Sequence, residues 1–430
     1  MPSPVRVPLA LACAAVALLA SLLLPAGPAS AAATHVVEVD WHGDGADKTP
    51  GDGTCRTADG HCTLRAAIQT ANASTDESYV VFAEGLAAIR PETPLPALST
   101  NGTIDGTDEA GEPGVVLDGI ALDPPADGNP GGGGFEVDGP AGIALTGAGA
   151  TVAGLNVQHV PGPAIKVRGA TDATVTANWL GTTEDGMGDA GRTLDGRERS
   201  VGVLVEQSTG TTVGGLSFED GNVVAGTQIG IMVGGSTSAT KLLRNTVGMS
   251  ADGTEPLGND VFGILTTSGP QQSFPTDVTI DANLIAATGQ TPEAPEPDIA
   301  EGIAILRSSG VLISRNRIGF DRSGRYVTGR DEEHLPFGTT GAAVYVEESV
   351  GVRIGGVYPG GQSGYGNQIA ASDREGIRVW DAVADVTIQN NTIASTRRAR
   401  TTPTRTARRR ATAATGSRST APATPRPRRA

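Results

Sequence analysis

The sequence predicts an all-β fold of stacked coils, a parallel β-helix, and three observations carry that expectation. Glycine supplies 60 of the 430 residues, against 7 Phe, 5 Tyr and 3 Trp. Each Gly inside a helix costs about 1 kcal/mol relative to Ala, so a chain this rich in it is not mainly helical. The glycines keep no every-third-residue register, which excludes collagen. From about residue 142 a small residue followed by alternating apolar positions recurs, and a unit Asn-x-apolar-small recurs with it. The shortest Asn-to-Asn steps, from Asn222 to Asn245 and from Asn367 to Asn391, are 23 and 24 residues. Strands of three to five residues repeating at that period cannot bury an apolar face alone and must stack on copies of themselves. An ordinary β-sandwich, with turns every 8–12 residues, does not predict the recurring Asn unit.

Taken in order, the chain begins with Arg6 and an apolar run over residues 7–24, broken by Pro25, Gly27 and Pro28. Ala29-Ser30-Ala31 and Ala31-Ala32-Ala33 offer small-residue cleavage sites, so residues 1–33 read as a secretory signal peptide. Cys13 lies inside the run and leaves with it. No later run approaches the roughly 18–20 apolar residues that span a bilayer. The mature chain is expected to be secreted, extracellular or attached to the cell surface.

Residues 34–75 form an acidic loop and a helix. Cys55 and Cys62 close a Gly/Asp-rich loop, and in an oxidising compartment their default is a disulfide. Asp40, Asp44, Asp47 and Asp52 are candidate calcium ligands, because hard oxygen donors on a Gly-rich loop suit that ion. The EF-hand template fails there, with His42 and Gly51 at ligand positions, and a plain acidic loop tied by the disulfide is the alternative. Calcium is the one cofactor the sequence raises. Leu64, Ala67, Ile68 and Ala71 then recur at helical spacing behind a capping Thr63, and strand-like runs follow at 79–82, 102–105 and 115–117.

Residues 76–395 are read as the β-helix. Its small-residue starts include Gly142-Ile143, Gly202-Val203, Gly230-Ile231, Gly302-Ile303 and Gly376-Ile377. Its asparagines are Asn178, Asn222, Asn245, Asn283, Asn316, Asn367 and Asn391, expected to form a structural ladder bonding turns in neighbouring coils. The residue closing each Asn unit runs Gly, Ala, Gly, Ala, Gly, Ala, Ala. Gly186, Gly253 and Gly324 mark turns that open longer loops, the place for specificity on a rigid stack.

Cys62-Thr63-Leu64-Arg65-Ala66-Ala67 resembles the Cys-Ser-Leu-Arg-Glu-Ala (CSLREA) region at the mature N-terminus of secreted bacterial proteins. Thr63 keeps the capping hydroxyl of the Ser, whereas Ala66 replaces the Glu. The resemblance implies export and a right-handed parallel β-helix whose first coil is covered by the helix. It implies no settled reaction, since such helices serve as lyases, hydrolases, adhesins and passive rods.

Charge narrows the partners. Residues 34–396 carry 20 basic against 47 acidic side chains, a net −27, which disfavours nucleic acid and anionic membranes. Residues 396–430 hold 11 Arg and no Val, Ile, Leu or aromatic, so they cannot pack as a coil. They read as a disordered basic tail or as the product of a shifted reading frame in a GC-rich gene. The second is favoured, because it explains an uncapped last coil. Lys166 and Arg168, two apart on one strand face, are a candidate polyanion contact, with solvated surface charge as the alternative. Glu347 and Glu348 alternate faces, and Asp331, Glu332, Glu333 and His334 sit in a loop. With no compact catalytic motif, the leading expectation is a non-catalytic surface that binds carbohydrate, a cell wall or another surface. The rival is a polysaccharide lyase or glycoside hydrolase with a site dispersed over one face. No oligomeric state follows from the sequence.

Overall fold

The computed structural model describes residues 34–123, 139–190, 200–268, 273–290, 300–326, 337–356, 364–381 and 384–394. The expected signal peptide, the Arg-rich tail and the loop holding Asp331 to His334 lie outside these residues.

Every strand pairing between named strands is parallel, and the strands fall into three sheets of 11, 9 and 8 among the described residues. The first sheet runs from Thr34–Val39 to Thr387–Gln389, the second from Val115–Asp118 to Thr392–Ile393 and the third from Ile143–Leu145 to Ile377–Trp380. The chain visits third, first and second sheet in turn, so each coil adds one strand to each face. This is a parallel β-helix.

The alternation of each short strand sends one set of side chains inward, where they stack in columns. Val152, Val175, Val213, Leu242, Ile280, Ile313 and Ile354 form one such column from the first sheet, each 0% exposed. Leu180, Val224, Val247, Ile285 and Ile318 form another from the second. Branched side chains suit this geometry because they pack on like neighbours across a pleat. Each buried one contributes about 1.5–3 kcal/mol of transfer free energy.

One element differs from expectation at the N-terminal end. Strand β1 (Thr34–Val39) pairs in register with β2 (Glu77–Phe82), so sheet structure starts well before residue 76. The reason is alternation, since Val37 and Val39 are buried while Val36 faces out. Helix α1 (Leu64–Ala73) lies between these strands in sequence, and the Thr63 hydroxyl accepts the Ala66 N–H. Leu64, Ala67, Ile68 and Ala71 enter the same apolar core as β1 and β2. The Cys55–Cys62 disulfide ties the preceding loop.

The corners explain the recurring small and polar residues. Where the chain turns from first to second sheet, Ala177, Arg244, Ala282 and Arg315 adopt left-handed φ of 53°, 53°, 58° and 57°. The asparagine that follows each repairs the turn. Oδ1 of Asn283 accepts both the backbone N–H of Asn245 (2.8 Å) and its side-chain Nδ2–H (3.0 Å). Nδ2 of Asn283 donates to the Leu242 carbonyl and to Oδ1 of Asn316, both at 2.9 Å. Side chain-to-side chain bonds of this kind join Asn178, Asn222, Asn245, Asn283, Asn316, Asn367 and Asn391 in one file. Between second and third sheets, Gly181, Gly248 and Gly319 turn with φ of 77–80°, and a Cβ on any of them would collide with the carbonyl oxygen of Ala225, Ala286 or Ala370 in the next coil. The Gly–Ala alternation is therefore a glycine beneath an alanine carbonyl.

Candidate functional site

The outer face of the third sheet carries the most concentrated chemistry. Val344–Glu347 and Ile377–Trp380 alternate so that Val344, Val346, Ile377 and Val379 line the inner columns, which leaves Tyr345, Glu347, Arg378 and Trp380 facing out. Register places Tyr345 beside Arg378 and Glu347 beside Trp380. The Tyr345 hydroxyl donates to Glu347 Oε2 at 2.9 Å. The Arg378 guanidinium lies 5.5 Å from the Tyr345 ring centre and 5.1 Å from that of Trp380, within cation–π range. Trp380 is 55% exposed, an aromatic surface open to solvent on a rigid strand. Toward the N-terminus the same outer column continues as Ala304, Leu265, Met232 and Leu204, all buried and grouped in an apolar cluster with Phe262.

Glu301 opens the strand beside Phe262 and is 8% exposed. Burial pushes its carboxyl up to about 8, and the nearby Arg378 and Arg374 only partly offset that. The group is therefore largely protonated at neutral pH, a proton donor rather than a fixed charge. Burial, and then the Glu347 carboxylate, push Tyr345 up to about 12, so its phenol stays protonated. Glu301 binds its proton more tightly in the folded chain, so its favourable contribution is whole below the ordinary 4.5 and is lost as pH rises toward 8. Glu301→Gln is expected to flatten the fall in the urea midpoint between about pH 5 and 9. An unchanged pH profile would contradict the burial argument.

A second polar cluster sits on the second sheet. Asp118 takes Arg90 Nε on one oxygen and His159 Nδ1 on the other, both at 2.9 Å, and accepts the Ile120 N–H. Burial works to raise the Asp118 carboxyl, but these hydrogen bonds outweigh it and hold it below its ordinary value. This knot fixes the corner at His159, whose own φ is 50°.

The residues singled out from sequence are dispersed. Lys166 and Arg168 both face Glu206 one coil on, at 3.2 and 3.6 Å, so their charge is already shared with an acid. The four candidate calcium ligands each engage separate partners within the chain. Asp40 accepts the Cys62 N–H, Asp44 is forked by Arg65, Asp47 accepts from Thr49 and Thr70, and Asp52 accepts the Thr54 N–H. Among the described residues no three His, Cys, Asp or Glu side chains are grouped to hold a metal ion. Glu348 turns away from Glu347 and pairs with Arg307 at 2.7 Å. The turns near Gly186, Gly253 and Gly324 are built from hydroxyl–carboxylate pairs, Thr183 with Asp185, Ser250 with Asp252, and Asp321 with Ser323 in exchanged order. They also stack, the Ala251 N–H on the Gly186 carbonyl and the Arg322 N–H on that of Gly253. Among the described residues no helix is long and apolar enough to cross a membrane.

No protein-family model matches the chain, and none of the curated proteins does either. Solved structures similar to it are β-helices of distant sequence. The A-module of the Azotobacter vinelandii mannuronan C-5 epimerase AlgE4 is 12% identical, covering 84% of this chain and 83% of that one, with a TM-score of 0.43. Pectate lyase Pel9A is 13% identical over 82% and 79%, with a TM-score of 0.41. The Dettilon tailspike protein is 14% identical over 80% and 68%, with a TM-score of 0.38. Similarity at that level says nothing about what this chain does, and its own residues must answer.

Proposed function

We propose that the chain is an exported polysaccharide-binding rod that uses the outer face of the third sheet, without catalysis. The observation that carries this reading is the platform of Tyr345, Arg378 and Trp380. Two rings held by one guanidinium on adjacent strands offer flat apolar surface with polar edges, the pairing that packs against the C–H face of a sugar while its hydroxyls find partners. Glu347 and the protonated Glu301 supply an acceptor and a donor on the same face. Export is supported by the apolar N-terminal run, the Cys55–Cys62 disulfide and the CSLREA-like segment around Arg65.

The test is affinity electrophoresis against neutral and acidic polysaccharides, with Trp380→Ala as the probe. Binding is expected to weaken at least about tenfold, the scale of about 1.4 kcal/mol, while the melting temperature holds because the ring is half exposed. Equal retardation of both proteins, or no retardation by any polysaccharide, would overturn the reading. A glycoside hydrolase or lyase is the second reading, and Glu301 is what favours it, since a carboxyl protonated at neutral pH is what a general acid requires. New reducing or unsaturated ends that disappear in Glu301→Gln would establish that reading instead.

A further inference from the structure

Arg65, Arg90, Arg168, Arg307, Arg315 and Arg325 each meet a carboxylate of the same chain. Arg378 does not. Among the described residues its guanidinium lies against the Tyr345 and Trp380 rings, 5.5 and 5.1 Å from their centres, and makes no hydrogen bond or ion pair. Two rings restrict where the cation can point, while its N–H donors stay unspent. A planar guanidinium with a fixed orientation matches the two oxygens of a carboxylate, which it takes on two parallel N–H bonds.

The neighbouring charges leave that fork uncontested at neutral pH. The groups near it are Glu301, Tyr345, Glu347 and Arg374, with the exposed Glu375 in the turn before the strand. Strand Phe262–Thr267, beside Glu301, brings only apolar and hydroxyl side chains. Burial holds the Glu301 carboxyl protonated up to about 8, so it presents no charge to compete for Arg378. The Glu347 carboxylate takes the Tyr345 hydroxyl and sits beside Trp380 in register. It repels an acid from that end of the platform and so turns it toward Arg378.

We propose that this face selects sugars that carry a carboxylate, and that Arg378 is the residue that reads it. The selection rests on the reading of the face as a sugar platform and adds the class of sugar. The net −27 of residues 34–396 opposes an acidic polymer at long range, but salt screens it beyond about 8 Å at physiological ionic strength. A contact made directly at the guanidinium is screened far less. Above pH 8 Glu301 ionises near Arg378 and competes for it, so the selection carries its own pH limit.

Affinity electrophoresis at physiological salt tests it with two matched ligands: a uronic acid homopolymer, and the same polymer with its carboxyls reduced to hydroxymethyl groups. The acidic polymer is expected to bind at least about tenfold more tightly at neutral pH, the scale of a charge-assisted hydrogen bond. Arg378→Gln is expected to bind both polymers alike, with binding to the reduced polymer and the melting temperature held. Arg353→Gln removes the same charge from an exposed site on the first sheet and is expected to keep the preference. At about pH 9.5 the preference is expected to fade in the unsubstituted chain and to persist in Glu301→Gln. Equal binding of both polymers would overturn the proposal and leave the platform standing, whereas binding of neither would overturn both. A preference that survives Arg378→Gln, disappears in Arg353→Gln or is undiminished at high pH would also overturn it, as would loss of both ligands in Arg378→Gln.

Discussion

Asn283→Ala is expected to cost about 3–5 kcal/mol of folding stability, the sum of two or more buried polar groups losing their partners at ~1–3 kcal/mol each. Its amide serves five groups at once, the Asp281 carbonyl at 3.3 Å among them. The Asn245 N–H and Nδ2 lose their acceptor, and the Leu242 carbonyl and Asn316 Oδ1 lose a donor. All of this happens at a corner where Ala282 is held in a left-handed conformation that no longer has support. Asn283→Asp separates the two halves of the amide. Its carboxylate still accepts from Asn245, yet it faces the Leu242 carbonyl without a proton to donate, so a large loss is expected there too at neutral pH. Asn391→Ala, at the partly exposed end of the file, is expected to cost clearly less. Urea denaturation of the three variants checks the order. Equal costs for Asn283 and Asn391 would mean that the file contributes no more than ordinary turn asparagines.

Arg65→Met is expected to be comparably damaging, by about 3–5 kcal/mol, the usual cost of stranding one partner of a buried pair. The Arg65 and Asp44 side chains are only 12% and 14% exposed and meet at 2.8 Å, so solvent screening does not reduce this interaction to a surface pair. The guanidinium also donates to the carbonyls of Thr93 and Pro94, so it binds helix α1 to two loops. Removing it leaves the Asp44 carboxylate with the Glu92 N–H but no cation. Asp44→Asn in the Arg65→Met background is therefore expected to recover part of the loss, because the stranded charge is gone. Arg65→Lys is expected to fail, since a single ammonium cannot reproduce the fork. Thermal melts of the single and double variants decide the matter, and strictly additive losses would contradict the pairing.

The repeat was legible because its cause is local. Each coil needs a turn residue at the same corner, so Asn178 to Asn391 recur in the sequence whatever the loops between them do. The third-sheet platform was not legible, because Tyr345 and Arg378 become neighbours only through register between coils whose insertions differ in length. Nothing in the segment around Glu301 marks it as buried until Phe262 and Leu265 are stacked beside it. The outward positions of the Gly-Ile strands, read down the stack in register, were the signal that would have found Tyr345 and Arg378. The partners of Asp40, Asp44, Asp47 and Asp52 were hidden for a related reason. Acid spacing on a loop does not reveal where backbone amides and Arg65 will point, and those groups engage the four aspartates first. Strand β1 was hidden because Val37 and Val39 alternate for only one short run inside an acidic segment.

The claim beneath all of this is that the coils stack with their corner asparagines in file, each backbone N–H held by the asparagine of the next coil. Amide hydrogen exchange followed by NMR tests it directly. The N–H groups of Asn178, Asn222, Asn245, Asn283 and Asn316 are predicted to exchange as slowly as the adjoining strands, although each sits at a turn. Exchange at the fast rate of ordinary turn amides would contradict the stack.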